Sequence, residues 1–244
     1  MQKLFIISNE SIFNKEGNFF CDNIDLKSTP EGLNNKFEVN IIGKKSKEAR
    51  FHKINIKNLN TYSNIFSYLV GILKSFSNKN SKYLIFSISP FTFFACILIG
   101  IFKKKQVIYL RSDGYGEYKA ILGFFGPIIY HLMFFIASKI SSLISCREYI
   151  LRGKKGAVIS PSQISSQWLS NHTEIDTKQI KLLYVGRIKK EKGIFSLLEI
   201  IKDSKSDLQL SIVGAEKNFS NKVVQNNVYV HEIENNEKNL IKFY

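Results

Sequence analysis

The segment best suited to chemistry begins with an apolar run, Ile180–Val185, that ends at Gly186. Arg187, Lys189, Lys190 and Lys192 crowd the next turn, then come Gly193 and an amphipathic stretch to Ile201. A buried strand that ends on glycine lets the backbone turn sharply and a ligand come close. The helix that follows directs its free N–H groups and positive dipole end at an anion. Arg187 could grip phosphate oxygens through its two-pronged guanidinium, and Lys192 would add a point charge. The spacing matches neither the lysine-ended phosphate loop nor G-x-G-x-x-G. A solvated basic turn between a strand and a helix accounts for the same residues, so both readings stand on residue chemistry alone.

Other chemistries find less support. His131 lies mid-helix among Tyr130, Leu132 and Met133 and reads as a core or interface residue. No second histidine stands at metal spacing and no Ser–His–Asp order stands out, so no metal site and no catalytic group is assigned. Cys21, Cys96 and Cys146 are odd in number, far apart and without a C-x-x-C spacing. That argues against a disulfide framework and a structural zinc, and fits a reducing compartment.

The elements that must position the basic turn alternate in type. Strands are expected at Lys3–Ser8, Phe37–Ile42, Phe51–Ile56, Tyr83–Ser87, Gln106–Leu110, Ser142–Cys146 and Ala157–Ser160, with a polar loop over Asn9–Pro30. Helices are expected at Tyr62–Phe76, at Phe91–Phe102 with Ser89 as cap and Pro90 in the first turn, and over Glu117–Ser138. The polar stretch Pro161–Lys178 reads as a linker. Beyond it come strands at Ile180–Val185, Leu208–Val213 and Val228–Val230, and helices at Lys192–Ile201 and from Glu237. Alternation of this kind predicts an α/β fold with parallel sheets.

The chain of 244 residues is 44% hydrophobic, enough for a buried core. Its formal net charge of +15 favours anionic partners: nucleic acid, anionic lipid or phosphorylated small molecules. Nucleic acid has only the charge in its favour, since no helix-turn-helix, zinc-finger or ribonucleoprotein motif is present. Tyr83–Phe102 and Ala120–Ser138 are uncharged and long enough for membrane spans. Pro90 splits the first, however, and Gly123, Gly126, Pro127 and His131 interrupt the second. The aromatic run Ile121–Phe135, with lysines nearby, would suit either a buried helix or a membrane interface.

Leu183-Tyr-Val-Gly-Arg-Ile188, the basic turn, Glu191-Lys-Gly193 and the Leu-rich helix together resemble the opening of the donor-binding domain in family 4 glycosyltransferases. Leu208-Gln-Leu-Ser-Ile-Val-Gly214 and Val228-Tyr-Val-His231 resemble its next strands. The resemblance implies a GT-B fold of two Rossmann-like domains. The first, at 1–160, would face the acceptor; a linker would cover 161–178; and a donor-binding domain at 179–244 would be incomplete. It further implies that Arg187 and Lys192 bind the donor diphosphate while Gly186 and Gly214 form turns near the nucleotide. The family's Glu-x7-Glu motif would fall beyond Tyr244, so the chain is expected to be inactive alone.

In the first half, Arg111 and Asp113 close the strand Gln106–Leu110. In such a fold they would lie on the acceptor side, Asp113 accepting from an acceptor hydroxyl and Arg111 attracting a phosphate or acidic sugar. A plain salt bridge or loop cap explains them as well. The glycine turn that many family members carry after the first strand is missing here, where only Gly17 follows, and late.

The function implied is retaining transfer of a sugar from a UDP- or GDP-sugar to a glycan or lipid-linked acceptor in cell-surface polysaccharide synthesis. No cofactor or metal is expected. The place of action would be the cytoplasm, with peripheral contact at an anionic inner membrane face. The competing readings are a non-catalytic remnant, half of a split enzyme, and a basic membrane-associated binding protein.

Overall fold

A computed structural model describes residues 1–78, 80–160, 168, 180–186, 188, 192–204, 208–215, 219, 227–234 and 236–244. The chain divides into two compact units, Met1–Gln163 and Ile164–Tyr244.

In the first unit, period-two patterning builds a parallel sheet buried on both faces. β1 (Gln2–Lys15) sends Leu4 and Ile6 into one hydrophobic cluster and Phe5 and Ile7 into the other. β6 (Lys82–Phe86) divides Tyr83 and Ile85 from Leu84 and Phe86 in the same way. Runs without polar alternation are what a doubly covered parallel strand requires. The parallel strands lie in the order β5 (Asn58–Tyr62), β3 (Phe37–Ser46), β1, β6, β7 (Gln106–Leu110), β8 (Ser142–Ser145) and β9 (Ala157–Val158). The chain thus winds outward from β1 in one direction through β3 and β5. It then returns to the other side of β1 and winds the opposite way from β6. Helix α1 (Ile24–Leu33) packs on one face; α2 (Ile65–Ser75), α3 (Pro90–Ile101) and α5 (Gly126–Ile140) cover the other.

The polar stretch Asn9–Pro30 is not a loop. β1 continues to Lys15 and turns into β2 (Asn18–Cys21), which pairs with β1 and with β4 (His52–Ile54), and α1 follows. Glu16 and Gly17 have φ of 52° and 82°, the left-handed pair a two-residue hairpin needs, and Asn14 Oδ1 accepts from Gly17 N at 3.0 Å. Gly17 therefore forms a hairpin tip. Polar side chains hid this part of the strand, whose pairing is set by the distant β2 and β3 and carries no apolar alternation in the sequence.

Nor is Glu117–Ser138 one helix. α4 (Gly114–Leu122) stops at Gly123, whose φ is 61°, and α5 starts three residues later with Pro127 in its first turn. The two helices fold back on each other. A Cβ on Gly126 would strike the Tyr118 carbonyl, and one on Gly114 would strike the Tyr130 ring. Gly114–Ile140 is apolar and long enough to cross a membrane by length and composition, but it folds as a hairpin.

The second unit holds β10 (Lys181–Val185), α6 (Ile194–Asp203), β11 (Gln209–Ala215), β12 (Val228–Glu232) and α7 (Glu237–Ile241). Its three described strands pair in parallel in the order β10-β11-β12. Leu210 and Ile212 of β11 pack with Ile194 and Ile201 of α6. Trp168 meets Tyr244 edge to face, ring centroids 4.8 Å apart.

Gly126→Ala should lower stability by about 2 kcal/mol through backbone overpacking, read as a drop in the urea midpoint. Burial raises the Cys96 thiol from its ordinary 9.0 to about 11. A raised pKa keeps the neutral form in the fold, so this contribution is complete below pH 9.0 and is lost as pH rises through about 11. Cys96→Ala should therefore flatten the decline of the urea midpoint over that range.

Candidate functional site

A parallel sheet wound in two directions leaves a crevice at the carboxyl ends of the two strands where the winding reverses. Here those strands are β1 and β6, and a cleft of about 470 Å³ opens there, lined by Ser8, Asn9, Glu10, Ser87, Arg111 and Tyr118 among others. A register shift in β1 between Ile7 and Ser11 places Ser8, Asn9 and Glu10 at the cleft instead of in regular pairing with β3. Ser87, with φ of 57°, occupies left-handed space that disfavours a side chain. It is held by its N–H donating to Tyr109 O at 2.9 Å and by its carbonyl accepting from Thr92 Oγ1 at 2.9 Å. Burial and the Glu117 carboxylate raise the Tyr118 hydroxyl, which keeps it a neutral hydrogen-bonding group at the cleft wall.

Arg111 lies across this cleft from the end of β7, and its fork is already occupied. Nη1 donates to Asn23 Oδ1 at 2.6 Å and to Asp25 Oδ2 at 3.3 Å, while Nη2 donates to Glu10 Oε1 at 3.0 Å. The guanidinium also stacks over Phe86, 5.5 Å from the ring centre. Only Nε is buried without a partner. An anion could take this arginine only by displacing carboxylates. Asp113 is not among the lining residues. Its carboxylate caps α4 by accepting from Tyr115 N at 3.3 Å, and it pairs with Arg152 Nη2 at 3.1 Å. Glu117, in the first turn of α4, does line the cleft, and among the described residues its carboxylate makes no hydrogen bond or ion pair.

The second unit brings Gly186 and Gly214 together at the carboxyl ends of β10 and β11. Gly186 N donates to Val213 O at 3.0 Å, and a Cβ on Gly214 would strike the Gly186 carbonyl. Gly214, at φ 115°, is skipped in the pairing with β12. Gly193, at φ 73°, opens α6 with no side-chain cap, and Lys192 beside it is exposed. By contrast Ser89 and Thr92 close the start of α3 with a reciprocal capping box. Among the described residues no side chain caps the first turn of α6, whereas that of α3 is spent internally. Arg187 lies outside the described residues. Among the described residues, no group of three or more His, Cys, Asp or Glu is placed to hold a metal ion.

Sequence reading named Arg111 but missed its partners Glu10, Asn23 and Asp25, and missed Arg152 as the partner of Asp113. They stand 86 to 101 residues from Arg111, and 39 from Asp113, with no periodicity to signal the pairing. Ser87 carries no sequence signal for its left-handed backbone.

Residues 165–243 match the family model described as glycosyl transferases group 1. No curated protein sequence matches the chain. Similar solved structures include a glycosyltransferase from Rickettsia africae, 13% identical, covering 98% of this chain and 71% of that one with a TM-score of 0.58. Anabaena Alr3699/HepE in complex with UDP-glucose is 11% identical, covering 96% and 70%, TM-score 0.52. The UDP-GlcNAc 2-epimerase of Methanocaldococcus jannaschii is 15% identical, covering 98% and 76%, TM-score 0.51. The fold is therefore α/β with mainly parallel sheets, similar to that of GT-B enzymes, and its second part carries a group 1 glycosyltransferase domain signature.

Arg111→Ala would leave Glu10 and Asp25 without their shared cation. Because Glu10 is 35% exposed, the expected loss is roughly 2 kcal/mol, below that of a fully buried pair. Asp113→Asn keeps a capping oxygen and removes only a half-exposed ion pair, so it should cost under about 1 kcal/mol. Urea unfolding of both variants checks the order; the reverse order would overturn this account of the cleft.

Proposed function

We propose that the chain is a glycosyltransferase of the retaining, family 4 type that takes a UDP- or GDP-linked sugar as donor. The observation that carries this reading is the paired glycine backbone of Gly186 and Gly214 beside the uncapped start of α6 and the Lys192 side chain. Two strand ends without side chains let a diphosphate approach the backbone, and a helix start with open N–H groups favours its negative charge. The match of residues 165–243 to group 1 glycosyl transferases supports transfer over the epimerisation named for one similar fold.

In this reading Arg187 and Lys192 hold the diphosphate oxygens. The acceptor occupies the cleft at the ends of β1 and β6, where Glu10, Glu117 and Tyr118 offer hydrogen-bonding groups to sugar hydroxyls. With its fork committed to carboxylates, Arg111 acts as the post that holds Glu10 in place and leaves phosphate binding to other groups. The acceptor is a glycan or lipid-linked glycan of the cell surface, and the site of action is the cytoplasm.

Titration of the full chain with UDP and with GDP by calorimetry tests the donor site. Binding of one nucleotide, weakened about tenfold by Lys192→Ala and by Arg187→Ala, is the expected result. Binding unaffected by either substitution would sink the assignment of the basic turn.

A further inference from the structure

A crossover helix normally buries one face on its sheet and gives water a polar opposite face. Three neighbouring helices of the first unit depart from this. α2, α3 and α5 lie side by side on one sheet face and bury Ile72, Ile99 and Phe134 beneath them. Their outer faces are apolar too: Phe66 and Val70 on α2, Phe94 and Ile101 on α3, Ile128 and Leu132 on α5 are all exposed. Phe66 is 80% exposed and Leu132 61%. α3 has no charged residue, and the turn between α4 and α5 adds Phe124 at 80% exposure. An apolar surface running across three helices and a turn marks a contact with something other than water.

The charge around this face selects the partner. Crossover helices run against the strands, so their carboxyl ends gather at one edge of the sheet. There Lys74, Lys103, Lys105 and Lys139 rim the apolar face, Lys139 Nζ lying 3.9 Å from the Phe135 ring centre. From Arg50 to Arg147 the only carboxylates in the sequence are Asp113 and Glu117. A second copy would set the same lysines against each other, whereas anionic headgroups would neutralise them. The helices are too short to cross a bilayer: the 15 residues of α5 reach about 22 Å against about 30 Å of hydrocarbon. We propose that the outer face of α2, α3 and α5, with the α4–α5 turn, docks on the surface of an anionic lipid bilayer, apolar side chains in the interface and lysines on the headgroups. Ile121 and Leu122 both precede this turn and line the cleft, so docking brings the cleft mouth to the membrane. The inference stands on this face alone and does not require the transferase reading.

Flotation of the purified full chain with vesicles of phosphatidylglycerol and phosphatidylcholine, against phosphatidylcholine alone, tests it. The wild type should float with the anionic vesicles and be released by salt. The triple variant F66Q/F94Q/L132Q, all at exposed positions and checked for folding by circular dichroism, should bind about tenfold more weakly. K103E/K105E should lose the preference for anionic vesicles. Equal flotation of the wild type and the triple variant would overturn the proposal. So would wild-type protein that stays off both vesicles, or one that sediments as a dimer dispersed by the triple variant, which would make the face a self-association surface.

Discussion

Parallel pairing of β1 with β3 on one flank and β6 on the other is the constraint from which the first unit follows. Because β1 is central, both of its faces must be dry, and Leu4 and Ile6 alternate with Phe5 and Ile7 to fill two clusters. Because the chain leaves β1 in one direction and returns on the other side, no helix can bridge the ends of β1 and β6. The cleft is the space that this winding leaves. Its floor is fixed by the same strand, whose register shift after Ile7 releases Ser8, Asn9 and Glu10 from regular pairing.

Electrostatics then tie the cleft to the elements around it. Arg111 at the end of β7 reaches Glu10 on β1 and Asn23 and Asp25 at the start of α1, joining three segments distant in sequence. Asn23 in turn donates from Nδ2 to Glu10 Oε1 at 2.7 Å while its Oδ1 caps α1. A cation surrounded by acceptors fixes geometry, since each carboxylate oxygen it orients is one a ligand can meet without rearrangement. The two units use opposite devices at their strand ends: the first crowds charged side chains there, and the second removes side chains altogether at Gly186 and Gly214.

The helix layer shows how one sequence feature serves two demands. An uncharged α3 is suited to burial by a neighbour on each side, yet its outer residues Phe94 and Ile101 remain exposed. Its capping box and Pro90 make the helix start well defined despite the lack of any charge to favour it. The fold-back of α4 on α5 depends on glycines at both contacts, so the apolar turn is held in position by backbone packing.

Much of this architecture was legible in the residues. Gln106–Leu110 forms the strand its apolar run predicts, and α3 begins at the cap and proline that announce it, because strand patterning and helix caps are local physics. The glycines at 186, 193 and 214 were also readable, since a strand end or a left-handed backbone leaves a residue-type signature. Local patterning failed where pairing is decided by a distant partner. Polar Asn9–Lys15 became strand because β2 and β3 offered hydrogen bonds, and a predicted single helix became a hairpin because Gly126 fits against Tyr118. The sequence by itself determined the α/β alternation, the glycine turns and the basic charge. Only the tertiary structure decided which carboxylates surround Arg111, which residues open the cleft and that three apolar helix faces lie side by side, because contacts between residues tens of positions apart leave no periodic trace in the chain.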